Sequence, residues 1–261
     1  MSGEVSAREV SRFTRPPVIE TAMAVEFSAV QGLTITDLVH LADTWADRYP
    51  ARQEQPPLPP STPPGGGPVL QFGPTSGVRF WCVDEERSLL LQLQPDRLIL
   101  NWRSTGDSTQ RYPGYPDLET EFALRWSQLT AFVEAKGMAP PSPKLAEFTY
   151  VNVIEHAGAT EVTKALMVMS PEGSQLPGRE STITYATERQ VGSDSGKHGV
   201  VAVTANRDAS EPHWVLTVVT RLLNAESELD PLPMLAAAHL FSREAFLATT
   251  TVEAQSDWGA E

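Results

Sequence analysis

The sequence predicts an α+β protein, with an antiparallel sheet of about eight strands and its long helices on one face. Short runs of alternating apolar and polar residues recur along the chain, as expected for strands of a sheet that is buried on one side. Longer segments with apolar residues at helical spacing separate them. The order β-α-β-β-β-α occurs in 16–137 and again, with a weak or missing first helix, in 145–261. We therefore expect an internal duplication of the helix-grip or TATA-binding-protein-like kind, packed as one globular unit.

The first half follows a polar tail, 1–15, which has no hydrophobic periodicity and is predicted to be disordered. Its first strand is predicted from Val18 to Phe27. Thr34 or Thr36 caps the helix that follows. The apolar stripe of this helix, at i, i+3, i+7 and i+11, consists of Leu38, Leu41, Trp45 and Tyr49.

A proline-rich segment comes next. Eight of the 26 residues in 51–76 are proline, which excludes a helix or a central strand there. One alternative is an extended loop that crosses the surface and returns the chain to the sheet. The other is a polyproline II ligand for an aromatic groove, formed by Pro56 to Pro60. The sequence leaves both open.

Three strands and a long helix complete the first half. The strands are predicted at Val78–Val83, Ser88–Gln94 and Leu98–Arg103. The helix is predicted from Asp117 to about Lys136, with Gly137 ending it. Its apolar stripe consists of Leu118, Phe122, Trp126, Leu129 and Val133. Trp126 is therefore expected to be buried close to Trp102 of the sheet.

The second half follows a proline-rich connection, 138–144. Its strands are predicted at Glu147–Glu155, Ser181–Arg189, Gly199–Ala205 and His213–Leu222. The segment 157–179 shows no clean helical pattern, and the loop from Gln190 to His198 is expected to be mobile. Asp230 is expected to cap a final helix to about Leu247, and Thr250 or Thr251 to cap a last short helix near Trp258.

Charge and composition narrow the classes of function. The chain carries 33 acidic and 20 basic residues, a net charge of −13 at pH 7. Such a surface disfavours general binding to nucleic acid or to anionic membranes, since both need a basic patch. No apolar run approaches the length of a membrane span, and the opening residues lack the apolar core of a signal peptide. A cytoplasmic protein is expected.

Residues that carry catalytic chemistry are not arranged in a known motif. The single cysteine, Cys82, excludes an intrachain disulfide or a CxxC site and is expected to be a buried, inert thiol. The five histidines show no metal-ligand spacing, and HExxH and GxSxG are both missing. His239 and His156 are the nearest to general-base candidates, but a lone histidine is usually structural. We therefore predict no catalytic residue, metal or cofactor.

A row of polar side chains on one sheet face is the best candidate site. Alternation places Gln92, Arg97, Asn101 and Arg103 together, and Tyr150 and Asn152 are expected to converge on the same side from the next half. Amide and guanidinium groups suit bidentate recognition of a carboxylate, a phosphate or a peptide backbone. The alternative is an ordinary solvated sheet face. Asn101 is unusual within a strand and should have a fixed hydrogen bond.

The chain also resembles a family. The motifs in question are Pro16-Pro17-Val18-Ile19-Glu20, the prolines of 55–60, Arg79-Phe80-Trp81, Asn101-Trp102-Arg103, Thr149-Tyr150-Val151-Asn152 and Trp258-Gly259. Their order and spacing resemble TIGR04255-type bacterial proteins, which occur sporadically among genomes and have no settled activity. The resemblance spans nearly the whole chain. It implies an accessory gene, as mobile genes tend to be scattered in this way.

Two functions from different classes follow. The favoured one is a non-enzymatic protein-binding component of a bacterial accessory system, for example one of the defence or toxin–antitoxin-like type. Its protein partner would be engaged through the polar sheet face, the proline-rich loop or a sheet edge. The alternative is a small-ligand-binding or hydrolytic domain with a cavity between the sheet and the helices. An enzyme should gather several titratable groups in one pocket, whereas an interaction protein should not.

Overall fold

The computed structural model describes residues 12–61, 77–107, 110–155, 165–166, 182–192, 198–208, 213–223 and 230–261. These residues contain nine strands and four helices. The strands are β1 Val18–Phe27, β2 Ala51–Gln55, β3 Arg79–Val83, β4 Leu89–Gln94, β5 Arg97–Arg103, β6 Pro143–Ile154, β7 Thr182–Gly192, β8 His198–Asp208 and β9 Trp214–Leu223. The helices are α1 Ile35–Asp43, α2 Tyr115–Ala135, α3 Pro231–Thr249 and α4 Val252–Asp257.

The strands form one antiparallel sheet in the order β2-β3-β4-β5-β1-β6-β9-β8-β7. The first strands of the two predicted halves, β1 and β6, pair at its centre. Outward from this pair, the last strand of each half comes next and the earlier strands follow in reverse order, as β5-β4-β3 on one side and β9-β8-β7 on the other. The α+β class and the antiparallel sheet are as predicted.

The ninth strand is β2, which lies at the sheet edge beside β3. It falls within the segment predicted to be an extended loop, so that prediction is wrong for Ala51–Gln55. All five side chains are polar or small and four of the five residues are exposed, so no apolar alternation marks the strand. The prolines begin only at Pro56, which leaves the backbone N–H groups of β2 free to pair with β3.

The helices lie on one face of the sheet, which we call the helix face. Apolar residues of α1, α2 and α3 share a core with Met23, Leu91, Leu98 and Phe148 of the sheet. Predicted caps are observed: Thr34 accepts from the backbone of Asp37, Asp230 from Leu232 and Thr251 from Ala254. A second core lies between the β6, β9 and β8 strands and the end of α3.

Trp126 does not occupy the buried stripe of α2. It is half-buried, with its ring 5.6 Å from that of Phe27, whereas Trp102 is buried and packs 5.0 Å from Tyr112. The buried position is taken by Arg125, whose guanidinium is paired with Glu121. Helical spacing from Leu118 allows either position 125 or position 126 to lie on the buried stripe. Hydrophobicity favours Trp126, but an arginine whose charge is paired can be buried instead.

Several predicted boundaries change. β6 begins at Pro143 rather than at Glu147, because Phe27 of β1 still pairs with Pro143, and proline is tolerated at the first position of a strand. β7 and β8 are longer than predicted and extend into the loop placed at Gln190 to His198, of which 193–197 lie outside the described residues. Most of 157–179 also lies outside them.

The tail predicted to be disordered is ordered from residue 12 onward. Phe13 forms a bridge with Ala260, and its ring packs edge-on against Phe246 at 5.8 Å and Trp258 at 6.3 Å. The backbone N–H of Arg15 donates to the carbonyl of Trp258. Aromatic contacts distant in sequence anchor this stretch, and they leave no local periodicity to detect. Residues 1–11 lie outside the described part.

Candidate functional site

The polar row lies on the sheet face opposite the helices, which we call the second face. Register places Gln92 opposite Ile99, Arg97 opposite Gln94 and Glu26, and Asn101 opposite Ala22. These side chains are buried, with 7% of Gln92, 6% of Arg97 and 6% of Asn101 exposed. The alternative of a solvated face is therefore wrong for them. Their burial requires hydrogen-bond partners within the protein.

A chain of hydrogen bonds links four strands across this face. Arg79 and the indole of Trp81 donate to Oε1 of Gln92, at 2.9 and 3.1 Å. Gln92 donates through Nε2 to Oδ1 of Asn101 at 2.6 Å. Nδ2 of Asn101 then donates to Glu20 of β1 at 2.9 Å. Asn101 thus has the fixed hydrogen bonds that its place in a strand predicts.

A segment of the proline-rich region crosses the second face beside these hydrogen bonds. We call Leu58–Ser61 the strap. The amide of Gln94 accepts from Leu58 N at 3.1 Å and donates to Leu58 O at 3.3 Å. Arg97 donates to the carbonyl of Pro59 at 3.0 Å. Glu26 pairs with Arg97 and accepts from the backbone N–H of Ser61 at 3.0 Å.

The strap agrees with the interpretation of the proline-rich region as an extended connection. It lies on the surface of its own chain, as that alternative predicts, and its backbone is held by the sheet. Residues 62–76 are outside the described part. Gln94 and Glu26 also belong to this site, although neither is among its predicted residues. The signal was present, since both alternate in step with Arg97 on neighbouring strands.

Arg103 is on the second face but does not join the row. It is half-buried, and its Nε donates to the carbonyl of Arg87 at 3.1 Å. Arg87 lies in the turn between β3 and β4 and has a φ of 58°, in the left-handed region. The Arg103 side chain therefore supports a strained turn.

Tyr150 and Asn152 lie on the helix face, so the expected convergence with the arginines is wrong. Tyr150 is opposite Thr21, which is opposite Trp102 on the core side of β5. Asn152 is buried and donates through Nδ2 to the carbonyl of Leu216 at 3.1 Å. Alternation along β6 keeps the two residues on one face, but only the pairing with β1 determines which face that is.

The helix face contains a cluster of aromatic side chains around His239 of α3. The imidazole stacks on Tyr115 with centroids 4.0 Å apart and planes 4° from parallel. Its Nδ1 is 3.1 Å from the hydroxyl of Tyr150. Burial, with a smaller contribution from the charge of Arg243, lowers the pKa of His239 to about 4. At neutral pH it is an uncharged, half-buried residue with a hydrogen-bonded ring, which agrees with the structural interpretation of a lone histidine.

An open cleft of about 770 Å³ lies at one end of the sheet, between the β3–β4 turn, the end of β5 and the start of α2. Trp102, Leu89 and Leu118 supply apolar lining, and Arg48, Arg111 and Asp117 supply charge. Arg48 is 3.6 Å from the buried carboxylate of Asp84. No sequence pattern predicts this cleft, because its walls come from segments far apart in the chain.

Cys82 of β3 is buried in the core on the helix face. Burial raises the pKa of the Cys82 thiol to about 11, so it stays protonated near neutral pH. Within the described ranges, no three histidine, cysteine or acidic side chains gather as metal ligands. None of the helices there combines the length and the apolarity needed to cross a membrane.

Comparisons of the chain with protein-family models, with curated proteins and with solved structures find no match.

Changing Asn101 to alanine should lower the free energy of unfolding by about 2–3 kcal/mol, since it leaves the buried amide of Gln92 without its acceptor and Glu20 without its donor. Urea denaturation measures this loss. Arg103→Ala is the matched control on the same strand and face, and should cost below about 1 kcal/mol, because only one partly exposed bond is removed. Equal losses in the two variants would show that the hydrogen-bond chain does not stabilise the sheet.

Proposed function

We propose that the protein is a non-enzymatic interaction component of a bacterial accessory system, and that its second face binds an extended polypeptide segment of a partner protein. One observation carries the proposal. Gln94, Arg97 and Glu26 all bind main-chain atoms of the strap. Groups that hold one extended backbone in this way suit another of the same shape.

The strap is attached to the second face weakly enough for a partner segment to replace it. The strap residues are exposed or half-buried, whereas Gln94 and Arg97 beneath them are buried. The attachment therefore depends mainly on hydrogen bonds, and each contributes only about 0.5–1.5 kcal/mol net, or about 1.5–3 where a charged group takes part. A partner segment that makes the same bonds restores what is lost when the strap leaves. Its preformed extended shape reduces the entropy cost of binding.

Fluorescence anisotropy with a labelled peptide tests this function. The probe is Gln-Pro-Pro-Leu-Pro-Pro-Ser, the sequence of 55–61. We expect it to bind a variant in which 56–61 are replaced by glycine and serine, because that segment keeps its main-chain groups but loses the preformed extended shape and so competes more weakly. The unaltered protein should bind the peptide at least about tenfold more weakly, because the native strap competes. The same replacement combined with Gln94→Leu is the matched control and should not bind.

Circular dichroism and thermal unfolding establish that the replaced variant is folded before its binding is interpreted. If it is not, Leu58→Gly with Pro59→Gly loosens the strap with a smaller change. A folded variant with an open face that leaves the peptide unbound would contradict the proposed function. The second face would then bind only the strap of its own chain.

A small-ligand function is the second candidate, and the open cleft favours it. The cleft is lined mostly by polar and charged residues, with Trp102 and Leu89 among its few apolar ones, which suits a small polar molecule that also carries an apolar part. A fragment screen followed by tryptophan fluorescence would test it. Leu89→Trp, at a half-buried lining residue, should block ligands that enter the cleft and leave ligands of the second face unaffected.

We also propose an internal duplication of the fold and a place for the chain in a family. Matching strand orders on the two sides of the β1–β6 pair support an internal duplication of the helix-grip or TATA-binding-protein-like kind. The motifs named in the sequence analysis support placement among TIGR04255-type proteins.

A further inference from the structure

The bonds between the second face and the strap follow a pattern along the strap backbone. Gln94 binds both the N–H and the carbonyl of Leu58. Arg97 binds the carbonyl of Pro59, and Glu26 binds the N–H of Ser61. The sheet thus uses N–H groups at the first and fourth residues. The two positions between them are proline, which has no N–H to offer.

The strap crosses the strands rather than running along them. Gln94, Arg97 and Glu26 are direct neighbours on β4, β5 and β1. Two strand spacings amount to about 9.6 Å. Three residues of polyproline II helix advance about 9.3 Å, whereas three residues of α-helix advance only about 4.5 Å. An extended proline-rich segment therefore reaches all three side chains in order, and a helical one does not.

The position of Glu26 makes the last N–H important. Its carboxylate lies against Arg97, which is 6% exposed, and it also accepts the Ser61 N–H. If the bound segment has no N–H at the Ser61 position, the carboxylate of Glu26 loses this hydrogen-bond donor and keeps only its contact with Arg97. Losing a hydrogen bond to a charged group is more costly than losing one between neutral groups.

We propose that the second face selects extended segments of the pattern X–Pro–Pro–X, in which the N–H groups of the first and last residues are recognised, and that Leu58–Ser61 is a built-in competitor for such segments. This inference rests on the proposed function and specifies its ligand. The face reads the backbone of the ligand, so X can be any residue except proline.

Backbone-modified peptides test this specificity in the variant whose 56–61 segment is replaced. The reference probe is again Gln-Pro-Pro-Leu-Pro-Pro-Ser. N-methylation at the position of Leu58 or of Ser61 removes an N–H that the sheet binds, and should weaken binding at least about tenfold. N-methylalanine in place of Pro60 is the matched control, because it lacks an N–H where none is used, and it should bind within about twofold of the reference.

Substitutions in the protein identify the reader of each N–H. In the same variant, Glu26→Gln should reduce the effect of N-methylation at the Ser61 position and leave the effect at Leu58 unchanged. Gln94→Asn, which shortens the amide that reaches Leu58, should do the reverse. If either substitution prevents folding, the peptide series alone decides.

The outcomes separate this inference from the proposed function. Failure of every peptide to bind the folded variant would contradict the proposed function. Binding of the reference and of all N-methylated peptides with equal affinity would preserve the proposed function and overturn the selection by N–H groups. Stronger loss from N-methylalanine at Pro60 than from N-methylation at Leu58 or Ser61 would overturn the assigned register.

Discussion

Replacing Phe148 by alanine is expected to lower the free energy of unfolding by about 3–5 kcal/mol, through lost burial and the cavity that remains. Phe148 is fully buried on β6, beside the centre of the sheet. Its ring lies 4.8 Å from Tyr150, 5.1 Å from His239 and 5.7 Å from Tyr115, so it joins the sheet to both long helices. Urea denaturation measures the loss.

Tyr150→Phe is the matched control for Phe148→Ala. It keeps the ring and removes only the hydroxyl that meets Nδ1 of His239 at 3.1 Å, so it should cost about 1 kcal/mol. A loss below about 1.5 kcal/mol for Phe148→Ala would show that the helices can close the cavity.

His239 should make the protein less stable as the pH falls from 6.5 towards 4. Burial disfavours the imidazolium, so the pKa of His239 is about 4 in the folded protein, against an ordinary value of 6.5. The unfolded chain takes up the proton first. The stabilisation is therefore complete above about pH 6.5 and is lost progressively below it, by up to about 3 kcal/mol once the pH reaches the folded pKa and passes below it.

Comparison with a variant isolates this contribution, because carboxylates also titrate at low pH. His239→Phe keeps a ring against Tyr115 and has no proton to accept, so the difference in unfolding free energy between it and the unaltered protein should change between pH 7 and pH 4. His40→Gln, at an exposed position of α1, should follow the unaltered protein. A pH-independent difference for His239→Phe would contradict the assignment.

Local sequence patterns predicted most elements of this fold. Alternation marked β4 and β5, and capping residues such as Thr34 and Thr251 marked helix starts, because these signals lie within a few residues of the element they define. β2 escaped detection, since an exposed edge strand needs no apolar side chains. Trp126 was misplaced because a paired arginine replaced it in the core.

The candidate site was predictable in part. The shared face of Gln92, Arg97 and Asn101 followed from alternation in two strands joined by a tight turn. The face of Tyr150 and Asn152 depended on how β6 pairs with a strand more than a hundred residues away, and no local pattern records that register. Burial of the polar row was likewise hidden, because it depends on contacts such as those of the strap, which polarity along β4 and β5 does not show.

The central β1–β6 pair joins strands that are far apart in the chain. Met23 is opposite Phe148, roughly 125 residues later in the chain, whereas β3, β4 and β5 join over short turns. Distant strands pair slowly, because the loop must lose its entropy before the pairing gains anything. During synthesis, one edge of β1 stays unpaired until its partner β6, Pro143–Ile154, has emerged from the ribosome. An unpaired edge can recruit the same strand from another chain, so we expect the nascent protein to be exposed to aggregation in that interval.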